Sequence, residues 1–110
     1  MDKVYGLLSI AAKAGRVVSG SDLALEEVKK KRARLVILSE DASGNTRKLF
    51  QDKASYRDIP AAVYGNSEDL GRAIGKKPRV VAAVLDQGLS ESILRAIREN
   101  GRQYGENENL

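Results

Sequence analysis

The chain has 110 residues, 19 Lys plus Arg against 15 Asp plus Glu, a formal charge of +4, four Tyr, one Phe, no Trp, no His and no Cys. The two zeros exclude disulfides, thiolate nucleophiles, thiolate metal sites and every Ser-His-Asp or Cys-His triad, so the chain reads as a binding protein without a cofactor rather than as an enzyme. A chain of this length makes one domain and can bury about two-thirds of its unfolded surface without a staple.

Val4, Leu7, Leu8 and Ala11 recur at helical spacing and predict a first helix over residues 2–14, stopped by Gly15. A charge followed by an apolar stretch also faintly suggests a secretion signal there. Gly6 and Ser9 interrupt the stretch, so the cytoplasm is the expected location. Val17-Val18 is a short strand. Ser19-Gly20-Ser21-Asp22 supplies cap residues for a second helix with apolar Leu23, Leu25 and Val28.

Leu35 to Leu38 reads as a buried strand, followed by a turn and cap at Ser39 to Ser43 and a third helix carrying Leu49 and Phe50. Ile59 to Tyr64 is the next strand, with Pro60 near its start, where it is tolerated. Asn66 to Asp69 caps a short fourth helix, which Gly75-Lys76-Lys77-Pro78 ends. Arg79 to Asp86 is the last strand, and Leu89, Ile93, Leu94 and Ile97 line a closing helix begun near Ser90. Residues 99–110 lack an apolar period and are expected to fray, which leaves residues 1–98 as the domain. The longest purely apolar run, Val80 to Leu85, falls far short of the ~20 residues of a membrane span, so no membrane is expected. This alternation predicts a three-layer α/β/α sandwich of four strands and five helices.

The charge is uneven. The last twelve residues carry net −2 and the first 98 carry +6. The excess concentrates at Lys29, Lys30, Lys31, Arg32 and Arg34, more cations than the end of one helix needs, and such a cluster gathers polyanions. Gly15 to Gly20 is bounded by glycines and leads into a helix N-terminus, where backbone N–H groups can hold phosphate, although its spacing matches neither the Walker loop nor the dinucleotide fingerprint. Glu40, Asp41 and Asp86 follow strands and are the candidate Mg²⁺ ligands, but each is equally explained as a cap or turn acid. Gln87-Gly88-Leu89-Ser90 reads as a loop whose apolar tip can press on a base. Leu89 reads equally as the start of the core face of the last helix.

Several stretches together resemble the ribosomal protein L-seven-Ae superfamily, in its bacterial YlxQ-type branch. They are Gly15 to Gly20, Ala33 to Ser43, Asn45-Thr46, Leu70 to Lys76 and Val80 to Asp86, and the likeness covers about residues 3–98. The resemblance implies an α/β/α sandwich with a small mixed four-stranded sheet that binds RNA without catalysis, kink-turns being the superfamily's usual target. It further implies recognition by the N-terminus of the second helix and by a loop after the last strand. In that register Gly20 keeps the glycine, while Asp22, Leu23 and Glu26 stand where relatives carry Asn, Glu and Lys. Ionised Asp22 only accepts hydrogen bonds, and Glu26 replaces a cation with an anion.

The expected function is therefore a non-catalytic, ribosome-associated RNA-binding protein, a monomer holding structured RNA. The contacts expected are Arg16, Gly20, Ser21, Asp22, Lys29, Lys30, Arg34, Gln87, Gly88 and Leu89. The alternative is a protein-interaction adaptor that binds translation or transcription factors with little RNA specificity.

Overall fold

A computed structural model describes residues 2–109, with side-chain surroundings through residue 100. Elements follow in the order α1 (Lys3–Lys13), β1 (Val17–Ser19), α2 (Ser21–Lys29), β2 (Leu35–Leu38), α3 (Gly44–Tyr56), β3 (Ala61–Val63), α4 (Ser67–Ala73), β4 (Val81–Val84) and α5 (Gln87–Asn109). The strands form one mixed sheet in the order β1-β4-β2-β3, with β2 and β3 parallel and the other two pairings antiparallel. This is the expected α/β architecture.

Alternation along the two central strands divides the core. Leu35, Ile37, Ala82 and Val84 face one way and join Val4, Leu8 and Ala11 of α1, Leu70 of α4 and Ile93 and Ala96 of α5. Val36, Leu38, Val81 and Ala83 face the other way, against Ala24 and Val28 of α2 and Phe50 and Ala54 of α3. Both faces are covered, so β2 and β4 read as unbroken apolar runs rather than as a polar–apolar alternation. The Tyr64 hydroxyl donates to the Asp2 carboxylate and accepts from Asn100 Nδ2, tying the end of β3 to the start of α1 and to α5. Burial, then the neighbouring Asp2 carboxylate, pushes the Tyr64 phenol well above its usual range.

Boundaries depart from the sequence reading in several places. The strands expected at Ile59 to Tyr64 and Arg79 to Asp86 are shorter, at Ala61–Val63 and Val81–Val84, the residues that pair in register across the sheet. The closing helix begins at Gln87, not near Ser90, because Asp86 Oδ1 accepts from the Leu89 amide at 2.8 Å and caps it. Gln87-Gly88-Leu89 is therefore a helical turn, not a loop, and Leu89 packs against the core as one of its two readings had it. In α2, Ser21 and Asp22 are the first helical residues; the N-cap is Gly20, and no side chain caps this helix. The stretch expected to fray, residues 99–110, coincides with the C-terminal part of α5 and with Leu110, which lies outside the described residues.

Four helices end alike, each with a residue in the left-handed region and a pair of closing backbone bonds of the Schellman type. In α1 and α4 that residue is Gly15 or Gly75, both at φ +73°. In α2 it is Lys31 (φ +59°), whose amide reaches Val28 at 3.0 Å while the Arg32 amide reaches Glu27 at 2.9 Å. In α3 it is Asp58 (φ +57°), with Asp58 bonded to Ser55 and Ile59 to Ala54 at 3.1 and 2.9 Å. A side chain in this conformation is strained by about 1–2 kcal/mol, somewhat less for Asp.

Candidate nucleic-acid interface

Strand direction sorts the expected contact residues into two groups. Ser19 pairs across Ala82 to Ile37, and Val17 across Val84 to Leu35. The end of β1 therefore shares one sheet edge with the start of β4, and the start of β1 shares the opposite edge with the end of β4. Gly20, Ser21 and Asp22 stand at the first end. Arg16, Lys29, Lys30, Arg34, Gln87, Gly88 and Leu89 stand at the second, with the nine-residue α2 running about 13 Å between them. The ten residues thus do not make one patch.

At the first end, Gly20 turns the chain from β1 into α2 at φ +92°, ψ 147°. Its amide bonds Val81 O at 3.1 Å, and its carbonyl accepts the Ala24 amide at 2.9 Å. The amides of Ser21, Asp22 and Leu23 find no acceptor among the described residues. Every other helix of the fold has a side-chain acceptor at its start: Asp2 for α1, Ser43 for α3, Asn66 for α4 and Asp86 for α5. Leu23, 59% exposed, stands on the first turn of α2. Glu26, one turn further along, is engaged by Lys30 Nζ at 2.7 Å, and that hydrogen bond holds its carboxyl below the usual range.

Beside this uncapped turn lies the α4–β4 loop, which the sequence reading treats only as a helix stop. Its position is set by the backbone. The Lys76 amide bonds Gly71 O at 2.8 Å, and the Arg79 amide bonds Ser67 O at 3.0 Å. A Cβ on Gly71 would lie 2.2 Å from the Lys77 carbonyl oxygen, so only glycine lets the loop pack this closely on α4. The Arg79 guanidinium then spans the gap, donating to Lys77 O and Pro78 O at 3.1 and 3.2 Å and to Ser19 Oγ at 3.2 Å. Exposed Lys76 and Lys77 thereby belong to the same end of the sheet as Gly20, whose amide bonds Val81 O. The signal that could have found them is the basic run Lys76-Lys77-Pro78-Arg79 directly before a strand. Its neighbourhood with Gly20 depends on the antiparallel β1–β4 pairing.

At the second end, the Arg16 carbonyl accepts the Leu85 amide at 2.8 Å, and Arg16 Nη2 donates to Leu85 O at 3.1 Å. The Arg34 amide bonds Val84 O at 2.7 Å. Arg32 makes two 2.8 Å bonds to the Glu27 carboxylate, which is held below its usual range by them. Lys29, Lys31 and Arg34 have no acidic partner among the described residues.

The candidate Mg²⁺ ligands are not assembled. Glu40 and Asp41 follow β2 at the first end, while Asp86 follows β4 at the second. Asp41 instead accepts from the Ser67 amide and hydroxyl at 2.9 and 2.6 Å, the hydroxyl bond chiefly keeping its carboxyl low. Among the described residues no cluster has the makings of a metal site, and no helix is long and apolar enough to cross a membrane.

Known proteins resemble this chain in sequence and fold. The pattern of the Ribosomal protein L7Ae/L30e/S12e/Gadd45 family matches residues 2–94. The RNA-binding protein YlxQ of Bacillus subtilis (strain 168) is 46% identical over 90 residues, 82% of this chain and 90% of that protein. The large ribosomal subunit protein eL30 of Methanopyrus kandleri is 35% identical over 106 residues, 92% of this chain and 96% of its own. A solved structure of a protein of unknown function from Bacillus halodurans C superposes with a TM-score of 0.87 at 40% identity, covering 89% of this chain and 99% of that one. The two named relatives are, by name, an RNA-binding protein and a large ribosomal subunit protein. The chain belongs to the Ribosomal protein L7Ae/L30e/S12e/Gadd45 family.

Proposed function

We propose that this protein binds structured RNA without catalysis, at the first end of the sheet. The observation that carries the reading is the uncapped N-terminus of α2 beside a cationic loop fixed against Gly71, in a chain 46% identical to a protein named as RNA-binding. Free amides and the helix dipole suit a phosphate oxygen at Ser21 to Leu23, and Lys76, Lys77 and Arg79 supply the neutralising charge. Of the expected contacts, Gly20, Ser21 and Asp22 belong to this surface; Arg16, Lys29, Lys30, Arg34, Gln87, Gly88 and Leu89 do not.

Phosphate and shape, more than base reading, dominate the affinity. Asp22 carries a charge that repels phosphate and has no donor, and Glu26 is an anion occupied by Lys30. The RNA is ribosomal, a reading supported by the name of the archaeal relative.

The test is titration of a kink-turn RNA and a straight duplex of equal length at several salt concentrations, against the parent and a Lys76→Ala/Lys77→Ala variant. We expect binding that weakens with salt, a preference for the bent RNA and a shallower salt slope for the variant, by about 0.7–0.9 for each phosphate left without its lysine. Equal affinity for both RNAs would remove the kink-turn part of the reading. No binding at low salt, or an unchanged slope in the variant, would remove this surface. Co-sedimentation with ribosomes that survives moderate salt is the outcome expected of the ribosomal part, and its absence would refute that part.

A further inference from the structure

At the second end of the sheet lies a cavity of about 330 Å³, lined by apolar Ala33, Ile59, Pro60 and Leu94 and by the cations Lys31, Arg34 and Arg57. We infer that this cavity is a second, separate binding site, for a phosphate group carried on a body of nucleotide size. The source of that phosphate is either a free mononucleotide or the phosphorylated end of an RNA.

Four observations meet there. Ser90 also lines the cavity, is only 3% exposed, and its hydroxyl has no hydrogen-bond partner among the described residues. A buried hydroxyl without a partner is costly, and an oxygen-rich ligand would satisfy it. Arg57 is held in place for such a ligand: Nη1 donates to Lys53 O at 3.0 Å, and the guanidinium lies 5.4 Å from the centre of the Tyr56 ring. Arg34 and Lys31 have no acidic partner among the described residues. Finally, the two non-glycine residues held in left-handed backbone, Lys31 and Asp58, both line this one cavity. At those two helix ends glycine would relieve strain, so each side chain is held there at a local cost, as strained residues at ligand sites are.

Two acids face the same space. Glu91 Oε2 accepts from Gln87 Nε2 at 2.7 Å, and Asp58 has no ion pair among the described residues. Three cations against two carboxylates leave a modest positive field, which suits one phosphate and ill suits a long polyanion. The volume and the apolar wall of Ile59, Pro60 and Leu94 match the organic part of one nucleotide.

The experiment follows amide shifts of the whole protein during titration with adenosine monophosphate, adenosine, and a short single-stranded RNA with or without a 5′-phosphate. We expect saturable shifts at Lys31, Arg34, Asp58 and Gln87, absent with adenosine and with the 5′-hydroxyl RNA, and, with adenosine monophosphate, absent at Gly20. Saturation by the mononucleotide as tightly as by the 5′-phosphorylated RNA identifies a free nucleotide as the ligand, whereas saturation by the RNA alone identifies an RNA end.

Arg34→Gln and Lys31→Gly should each weaken binding about tenfold or more, as removal of a charge-assisted hydrogen bond does. Lys31→Gly also relieves backbone strain, so its weaker binding cannot be ascribed to unfolding. Ser90→Ala should raise the melting temperature of the free protein while weakening the phosphate complex. Shifts by adenosine monophosphate that spread equally over Lys76 and Lys77, fail to saturate, or persist unchanged in Arg34→Gln would overturn the site. Because Arg34 and Lys31 lie at the far end from Gly20, kink-turn affinity should be unaffected by either variant. Failure of this site and failure of the RNA surface are therefore separate results.

Discussion

The two ends of the sheet present positive charge in opposite ways. Around Gly20 the cations lie on a loop whose backbone is pressed onto α4, and the anion acceptor is main chain: the free amides of α2. Around Lys31 the cations are side chains grouped about a cavity, which is also lined by a left-handed lysine and a left-handed aspartate. A surface of amides and loop lysines suits an extended backbone of many phosphates, whereas a cavity suits one group. Counting basic residues alone would rank the second end higher, since five of its cations fall within six positions of the chain. Two of those five, Lys30 and Arg32, are taken up by Glu26 and Glu27.

Substitution at Gly71 should separate the two ends furthest. Gly71→Ala places a Cβ against the Lys77 carbonyl at 2.2 Å and Pro78 Cα at 2.9 Å, so backbone must move. We expect a loss of about 3 kcal/mol, at the upper end of overpacking costs, with weaker RNA binding and unchanged mononucleotide binding. Chemical denaturation and the two titrations check this together.

Asp22→Asn combined with Glu26→Lys would sharpen the first end by removing two negative charges there. Kink-turn affinity should rise at least tenfold, since a good bidentate base contact is worth about 1–3 kcal/mol by analogy with DNA readout. The Glu26–Lys30 pair that this removes is exposed, so its removal costs little. Lys31→Gly should stabilise the protein by about 1 kcal/mol in thermal unfolding while leaving the first end untouched.

The smallest effect concerns pH. Asp41 is depressed in the folded protein by its bonds to Ser67, so its contribution is complete above the carboxyl's unfolded value and fades as pH falls through the depressed one. The melting-temperature gap between the parent and Asp41→Asn should therefore be open at neutral pH and close in acid.

Much of this is legible in the chain. Leu35 to Leu38 is a strand at the residues expected, because four consecutive apolar residues of that length have few other uses. Asn66 and Ser43 cap helices as their types suggest. Ser21 and Asp22 look like caps and are not, because the left-handed turn at Gly20 shifts the helix start by one residue. Lys76 to Arg79 escapes a reading of the chain because its partner, Ser19, lies 60 positions away and is joined to it only through an antiparallel pairing. Lys31 and Asp58 are invisible as helix ends, since the local signal for that backbone is glycine.

The position of β4 carries one more consequence, for how the protein is made. Val81–Val84, last of the strands in the order given, lies between β1 and β2 and is, among the described residues, the only sheet neighbour of β1. During synthesis β2 and β3 can pair early, but Val17–Ser19 has nothing to pair with until the fourth strand has left the exit tunnel. The sheet therefore closes by inserting its middle, and the first strand stays unpaired until Val84 has emerged.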